Sequence, residues 1–317
     1  MINIPSSIRQ LRAVDILVIA FLHILSLISI IFIFPSGTSI LIVTVNLIVA
    51  YFIIVFARTG RLSPDKALGK LYDWYPVPMI FFIFKEVHVV IQSLTSNDWD
   101  NILIGIDRAI FGCDPTVWLA KFSTPLITEI LQISYASYYF IMLAVGIELY
   151  VKKENKKFSF AVFTIVYGFV LSYFGYLSFP AVGPRFTLHN FYDMNLTLPG
   201  LWLTNFIRDF INAGESITKD TVNAIAIAQR DVFPSGHTQM TLISIYFAHQ
   251  YKLKSRLPIY IFGTLLVIST VYLRYHYVID VVGGIIFTWL TLWSAPKLLQ
   301  WWNSKRINEK TFEQVKL

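Results

Sequence analysis

Cysteine is almost absent. Cys113 is the only one in 317 residues, so no disulfide can form within the chain. Charge is scarce too: 14% of residues are charged and 56% are hydrophobic, whereas soluble domains carry about 25% charge. That balance excludes the pair of soluble domains that the length alone would allow. Internal repeats and low-complexity stretches are missing, and so is a cleavable signal peptide. The first apolar run is too long for one and reads as a retained anchor. Asp98, Asp100, Asp107 and Asp114 lack the spacing of any metal loop and read as a solvated acidic loop.

What is present is a series of apolar runs long enough for helices that cross a bilayer, roughly 17–25 residues each. We read eight, over residues 14–34, 39–56, 75–94, 130–150, 160–177, 238–251, 257–272 and 277–293. The expected fold is all-α, a polytopic membrane helical bundle. Residues 1–70 form a two-helix membrane segment, 71–300 a six-helix core and 301–317 a cytoplasmic tail.

The net charge of +7 raises the question of nucleic acid, but the placement of charge argues for a membrane partner instead. Lys and Arg cluster in alternate connections. Arg9 and Arg12 come first, followed by Arg58 to Lys70, Lys152 to Lys157, Lys252 to Arg256, and Lys297 onward. The intervening connections hold only Arg108, Lys121, Arg185, Arg208, Lys219, Arg230 and Arg274. The positive-inside rule then puts both termini in the cytoplasm, which an even number of spans satisfies.

Three short motifs stand at the ends of apolar segments, all on the expected extracytoplasmic side: Gly183-Pro184-Arg185, Pro234-Ser235-Gly236-His237 and His276-Tyr277-Val278-Ile279-Asp280. His276 and Asp280 are four residues apart and share a helix face, so the carboxylate can orient the ring while the other nitrogen attacks phosphorus. Ser235 is an expected N-cap, and Gly236 lets a ligand approach the backbone at a helix N-terminus suited to phosphate. His237 is then placed to protonate a leaving oxygen. Arg185, Arg230 and Arg274 each lie near a motif, where planar guanidinium forks grip phosphate oxygens.

This pattern resembles the type 2 phosphatidic acid phosphatase superfamily, most closely the inositolphosphorylceramide synthase branch. The residues that carry the resemblance are 179–185 (Phe-Pro-Ala-Val-Gly-Pro-Arg) and 272–280, with Ile106-Asp107 and Phe111-Gly112 upstream. It spans roughly residues 75–293. It implies His276 as nucleophile, Asp280 as its orienting partner, His237 as general acid, and phosphate held by Arg185, Arg230, Arg274 and the Ser235-Gly236 turn. It also implies no metal and no organic cofactor. Two positions depart from the family pattern: Ser178 replaces a lysine and Thr270 an arginine. Arg230 and Arg274 are expected to substitute.

The expected activity is that of a lipid-phosphate phosphatase working through a phosphohistidine on the extracytoplasmic or lumenal face. The alternative transfers a phosphoryl headgroup, such as inositol phosphate, to a lipid alcohol such as ceramide or to another polyol acceptor. A third reading, a transporter or lipid-binding scaffold, keeps the arginines without catalysis. The connection at 180–233 is rich in aromatic and aliphatic residues and reads as a lid over the site. The connection at 96–129 has apolar residues suited to an interfacial helix. Lys85, Glu86 and His88 fall inside the third span, where ionisable groups face a bundle interior or a cavity.

Overall fold

The structure is a computed structural model. It describes residues 10–61 (for Arg61 the main chain only), 66–94, 98–215, 217–218 and 221–306. All regular structure among them is helical, as expected: α1 Ala13–Phe32, α2 Gly37–Arg61, α3 Ala67–Trp74, α4 Pro76–Leu94, α5 Asp100–Phe111, α6 Pro115–Ala120, α7 Pro125–Ala136, α8 Tyr138–Val151, α9 Asn155–Ser178, α10 Pro184–Thr187, α11 Met194–Thr197, α12 Thr204–Gly214, α13 Ala224–Ile227, α14 Gly236–Gln250, α15 Arg256–Tyr272 and α16 Val278–Lys305.

Five of these, α1, α2, α4, α9 and α16, are long and apolar enough to cross a membrane. The run at 130–150 is not one straight helix: α7 and α8 meet at Ser137 with a bend of 45° and make a sixth candidate as a pair. The serines there explain the bend, since Ser134 and Ser137 both turn their hydroxyls onto backbone carbonyls, at 2.8 and 2.6 Å. The runs at 238–251 and 257–272 form α14, of 15 residues, and α15, of 17. The first is shorter than a straight crossing requires, and the second is at the lower limit of roughly 17 residues.

The chain divides into two compact units. One comprises Met1–Leu94, Val162–Tyr167 and Leu292–Leu317. Its α1 starts at a closed polar knot: Asp15, fully buried, accepts hydrogen bonds from Tyr72 Oη at 2.5 Å and Tyr75 Oη at 2.7 Å. Arg12 binds the same carboxylate, Asp73 and the Tyr72 carbonyl, and its guanidinium lies 3.5 Å over the Tyr72 ring. Lys85, Glu86 and His88 stand on α4 in this unit, with Glu86 buried.

The other unit comprises Thr95–Ala161 and Gly168–Thr291, and it carries all three motifs. Here α14 is clasped to its neighbours by Gln239, which hydrogen-bonds Ser172, the Gly168 carbonyl (3.1 Å) and Thr291 Oγ1 (3.0 Å). The backbones are close because small residues permit it. A Cβ on Gly284 would lie 2.7 Å from the Ser235 carbonyl, and one on Gly175 2.2 Å from Pro234 Cδ. The start of α14 is thereby wedged between α9 and α16.

Candidate active site

The site is organised by α5, whose buried stripe reads Asp100, Leu103, Ile104, Asp107, the i, i+3, i+4, i+7 pattern of a core face. Leu103 and Ile104 pack with Ala181 and Val232, each two residues before a motif, and with Tyr277 inside the third motif. The two acids fix the main chain. Asp100 accepts from the Val182 and Gly183 N–H groups at 3.0 and 2.8 Å and from Tyr277 Oη at 2.7 Å. Asp107 accepts from Val278 and Ile279 N–H at 2.8 and 2.9 Å, capping the head of α16. The solvated acidic loop expected here is thus corrected for these two residues. They are buried because orphan backbone donors at the motif turns need acceptors.

The two histidines converge. Their ring centroids are 5.7 Å apart, with His237 stacked on Tyr135 at 4.5 Å and against Tyr138 at 4.3 Å. Ser235 caps α14 as expected, its Oγ accepting from Thr238 N–H at 3.2 Å. Its own N–H donates to the Asp280 carbonyl at 2.9 Å, which ties the second motif to the third.

His276 Nδ1 lies 3.0 Å from the Val232 carbonyl and 3.5 Å from Asp280 Oδ2. A carbonyl only accepts, so Nδ1 carries the proton and Nε2 holds the lone pair. The orientation expected from Asp280 alone is therefore shared, with the backbone carbonyl as the nearer partner. Asp280 also accepts from Tyr277 N–H at 2.7 Å, and its other oxygen is buried without a hydrogen bond. Burial pushes the His276 imidazole down to about 4, against the upward pull of Asp231 and the Val232 carbonyl. Burial, reinforced by Glu215, raises Asp231 to about 6.

The arginines differ. Arg185, buried on α10, pairs with Glu215 at 2.5 Å and Asn212 at 3.3 Å and faces the Tyr275 ring at 4.9 Å. Burial alone would lower it, but Glu215 holds it above the ordinary range. Arg230 grips Asp98 with both arms of its fork, at 2.6 and 3.3 Å, and also donates to the Ala228 carbonyl. At Arg230, expected to bind phosphate, the fork is paired with a carboxylate from 132 residues away. Arg274, at φ +67°, donates to Thr197 Oγ1 at 2.7 Å.

The segment between the first two motifs folds into α10 to α13 and walls a pocket of about 460 Å³. Arg185, Arg208, Asn195, Asn212, Tyr192 and Tyr275 are among its lining residues. Glu129 on α7 pins the start of α12, accepting from the N–H groups of Leu201, Leu203 and Thr204 at 2.8, 2.6 and 3.2 Å. On α12, Thr204 and Arg208 are buried while Phe206 and Phe210 are 69% and 73% exposed. Arg208 went unrecognised in the sequence, although a cation on the stripe opposite two aromatics was the available signal. Tyr135 and Tyr138, which flank His237, gave no local signal.

Among the described residues no cluster of three or more His, Cys, Asp or Glu side chains is placed to hold a metal ion. A search of curated proteins and a search of solved structures each return no match. A scan against protein-family models matches the PAP2 superfamily over residues 101–294, a stretch that contains α5 from its second residue onward, all three motifs and α10 to α13. With more than half of its length matched and the histidines of two of those motifs facing one another, the chain belongs to the PAP2 superfamily.

Proposed function

We propose that the chain is an integral membrane lipid-phosphate phosphatase acting through a phosphohistidine, without a metal, at the extracytoplasmic face. The observation that carries the reading is the facing of His237 and His276, with Nδ1 of His276 held by Val232 and Asp280. In the first step His276 Nε2 forms a bond to phosphorus as the bond to the lipid oxygen breaks. His237 gives that oxygen its proton. Asp280 offsets the positive charge that develops on the His276 ring, and Arg185 neutralises the phosphoryl oxygens. In the second step water attacks phosphorus, His237 takes its proton, and phosphate leaves His276 restored. Membership of the PAP2 superfamily supports the reaction class. The distribution of Lys and Arg supports the assignment of the face, with both termini cytoplasmic.

A second reading replaces water with an alcohol, giving a phosphotransferase of the inositolphosphorylceramide synthase kind. It is favoured by the pocket beside Tyr275 and Arg185, which at about 460 Å³ is larger than a phosphoryl group requires. Purified protein incubated with labelled lipid phosphate, with and without ceramide or a polyol, tests both. Free phosphate as the sole product supports the phosphatase, and a phosphorylated or headgroup-bearing alcohol supports the transferase. Full turnover by His276→Ala would reject the shared nucleophile.

A further inference from the structure

Among the described residues Arg12, Arg108, Arg185 and Arg230 each have a carboxylate within ion-pair distance. Arg208 and Arg274 do not, although they are only 4% and 3% exposed. Both reach the same short turn, α11 and the residue after it. Arg208 donates to Asn195 Oδ1 at 2.5 Å and the Leu198 carbonyl at 3.1 Å, Arg274 to Thr197 Oγ1 at 2.7 Å and Met194 Sδ at 3.6 Å. These acceptors are all neutral. The Nε atom of each arginine is buried without a hydrogen bond.

Two buried guanidiniums on one turn with no carboxylate within ion-pair distance are costly, because desolvation and mutual repulsion add. Burial lowers the affinity of Arg208 for its proton, and Tyr275 and then Asp209 offset this only in part. Arg274 is pushed down to about 10, by burial first and by Arg208 second. The positive field extends to His189, pushed down to about 4 by burial and by Arg274. Arg208 opens onto the pocket walled by α10 to α13, alongside the neutral groups of Asn195, Asn212 and Thr218, with Arg185 and Asp209 as the other charged lining residues. Neither His237 nor His276 lines that pocket.

We propose that Arg208 and Arg274 form a second oxyanion subsite in this pocket, separate from the histidine pair, that takes a phosphate-class anion. Arg208 supplies the direct contact, and Arg274 adds charge through the shared turn. The anion is either a further phosphate of a bound lipid or free phosphate.

The test is titration of the full-length protein in detergent with inorganic diphosphate at constant ionic strength, followed by calorimetry. Arg208→Gln is expected to weaken binding at least about tenfold, the scale of one charge-assisted hydrogen bond. Arg208→Lys keeps the charge and should stay within about threefold of wild type. Should Arg208→Gln fail to fold, Asn195→Asp, which sets a carboxylate against Arg208, is expected to weaken binding by a similar factor. Unchanged affinity in the folded Gln variant or the Asp variant overturns the subsite, as does an equal loss in Gln and Lys.

Kinetics separate the two sources. For a lipid source, Arg208→Gln raises KM for a lipid diphosphate but not for the monophosphate with the same tail. For free phosphate, both KM values hold and product inhibition weakens. An equal fall in kcat on both lipids, with binding intact, overturns the assignment. The binding arm needs no turnover, so an inactive protein that still binds diphosphate through Arg208 would refute the proposed reaction and leave the subsite standing.

Discussion

One buried charge cluster in each unit shows the difference between a closed and an open network, although Glu86 in the first unit also keeps a buried oxygen without a hydrogen bond. In the first, Arg12, Asp15, Asp73, Tyr72 and Tyr75 close on one another: both Asp15 oxygens accept hydrogen bonds, and Arg12 meets two carboxylates. In the second, Asp280 keeps one buried oxygen without a hydrogen bond, and Arg208 and Arg274 keep buried N–H groups without acceptors. A closed network stabilises only the fold. Open valences in a buried site cost stability, and a structure retains them where a ligand or a transition state completes them.

The comparison breaks first at the histidines. His276→Ala should lower turnover by more than about 10⁴-fold, the scale of losing a covalent nucleophile, with the unfolding temperature little changed. Asp280→Asn should lower it by about 10²–10⁴-fold. Steady-state assays on protein of verified monodispersity decide both; a loss of folding in place of turnover would erase the contrast between the units.

Asp107 tests whether the main-chain clamps matter to chemistry. Asp107→Ala releases the Val278 and Ile279 N–H groups and should cost about 10–100-fold in kcat, with KM held and Asn restoring part of it. An effect on KM alone would place Asp107 in binding.

In the closed network the expected effect is on stability. Asp15→Ala leaves Arg12 with a buried charge only partly met and should destabilise the first unit by about 3–5 kcal/mol. Chemical denaturation measures this, and turnover per folded molecule should not change.

The smallest effect is on pH dependence. His276, held near 4 in the folded state, contributes stability above its unfolded value of 6.5 that is lost as pH falls toward 4. Asp231, raised to about 6, acts in the opposite sense and loses its contribution as pH rises through 6. Asp231→Asn should therefore make stability climb more steeply with pH between 4 and 6.5. Turnover of the wild type should persist as pH falls through 6.5, because His276 stays neutral; kcat/KM against pH reads this directly.

Much of the site was legible because it is local. The Ser235 cap, His237 behind it and the His276–Asp280 spacing each belong to one helix end, where a few residues determine geometry. The clamps were not legible. Asp100 meets Val182 across 82 positions, Arg230 meets Asp98 across 132 and Asp107 meets Val278 across 171. No window along the chain distinguishes those acids from solvated ones, except the core-like spacing of Asp100 and Asp107 on α5. The bend at Ser137 was missed for a related reason: hydropathy averages over a break that two hydroxyls produce.

By itself the sequence determined that this is a helical membrane protein, through long apolar runs in which each backbone group must bond within its own helix. It also determined which imidazoles and which carboxylate stand at helix ends, since caps and i, i+4 faces are local properties. Tertiary structure alone decided which charges are neutralised and which stay open. Pairing depends on the distance between groups remote along the chain, and only packing sets that distance.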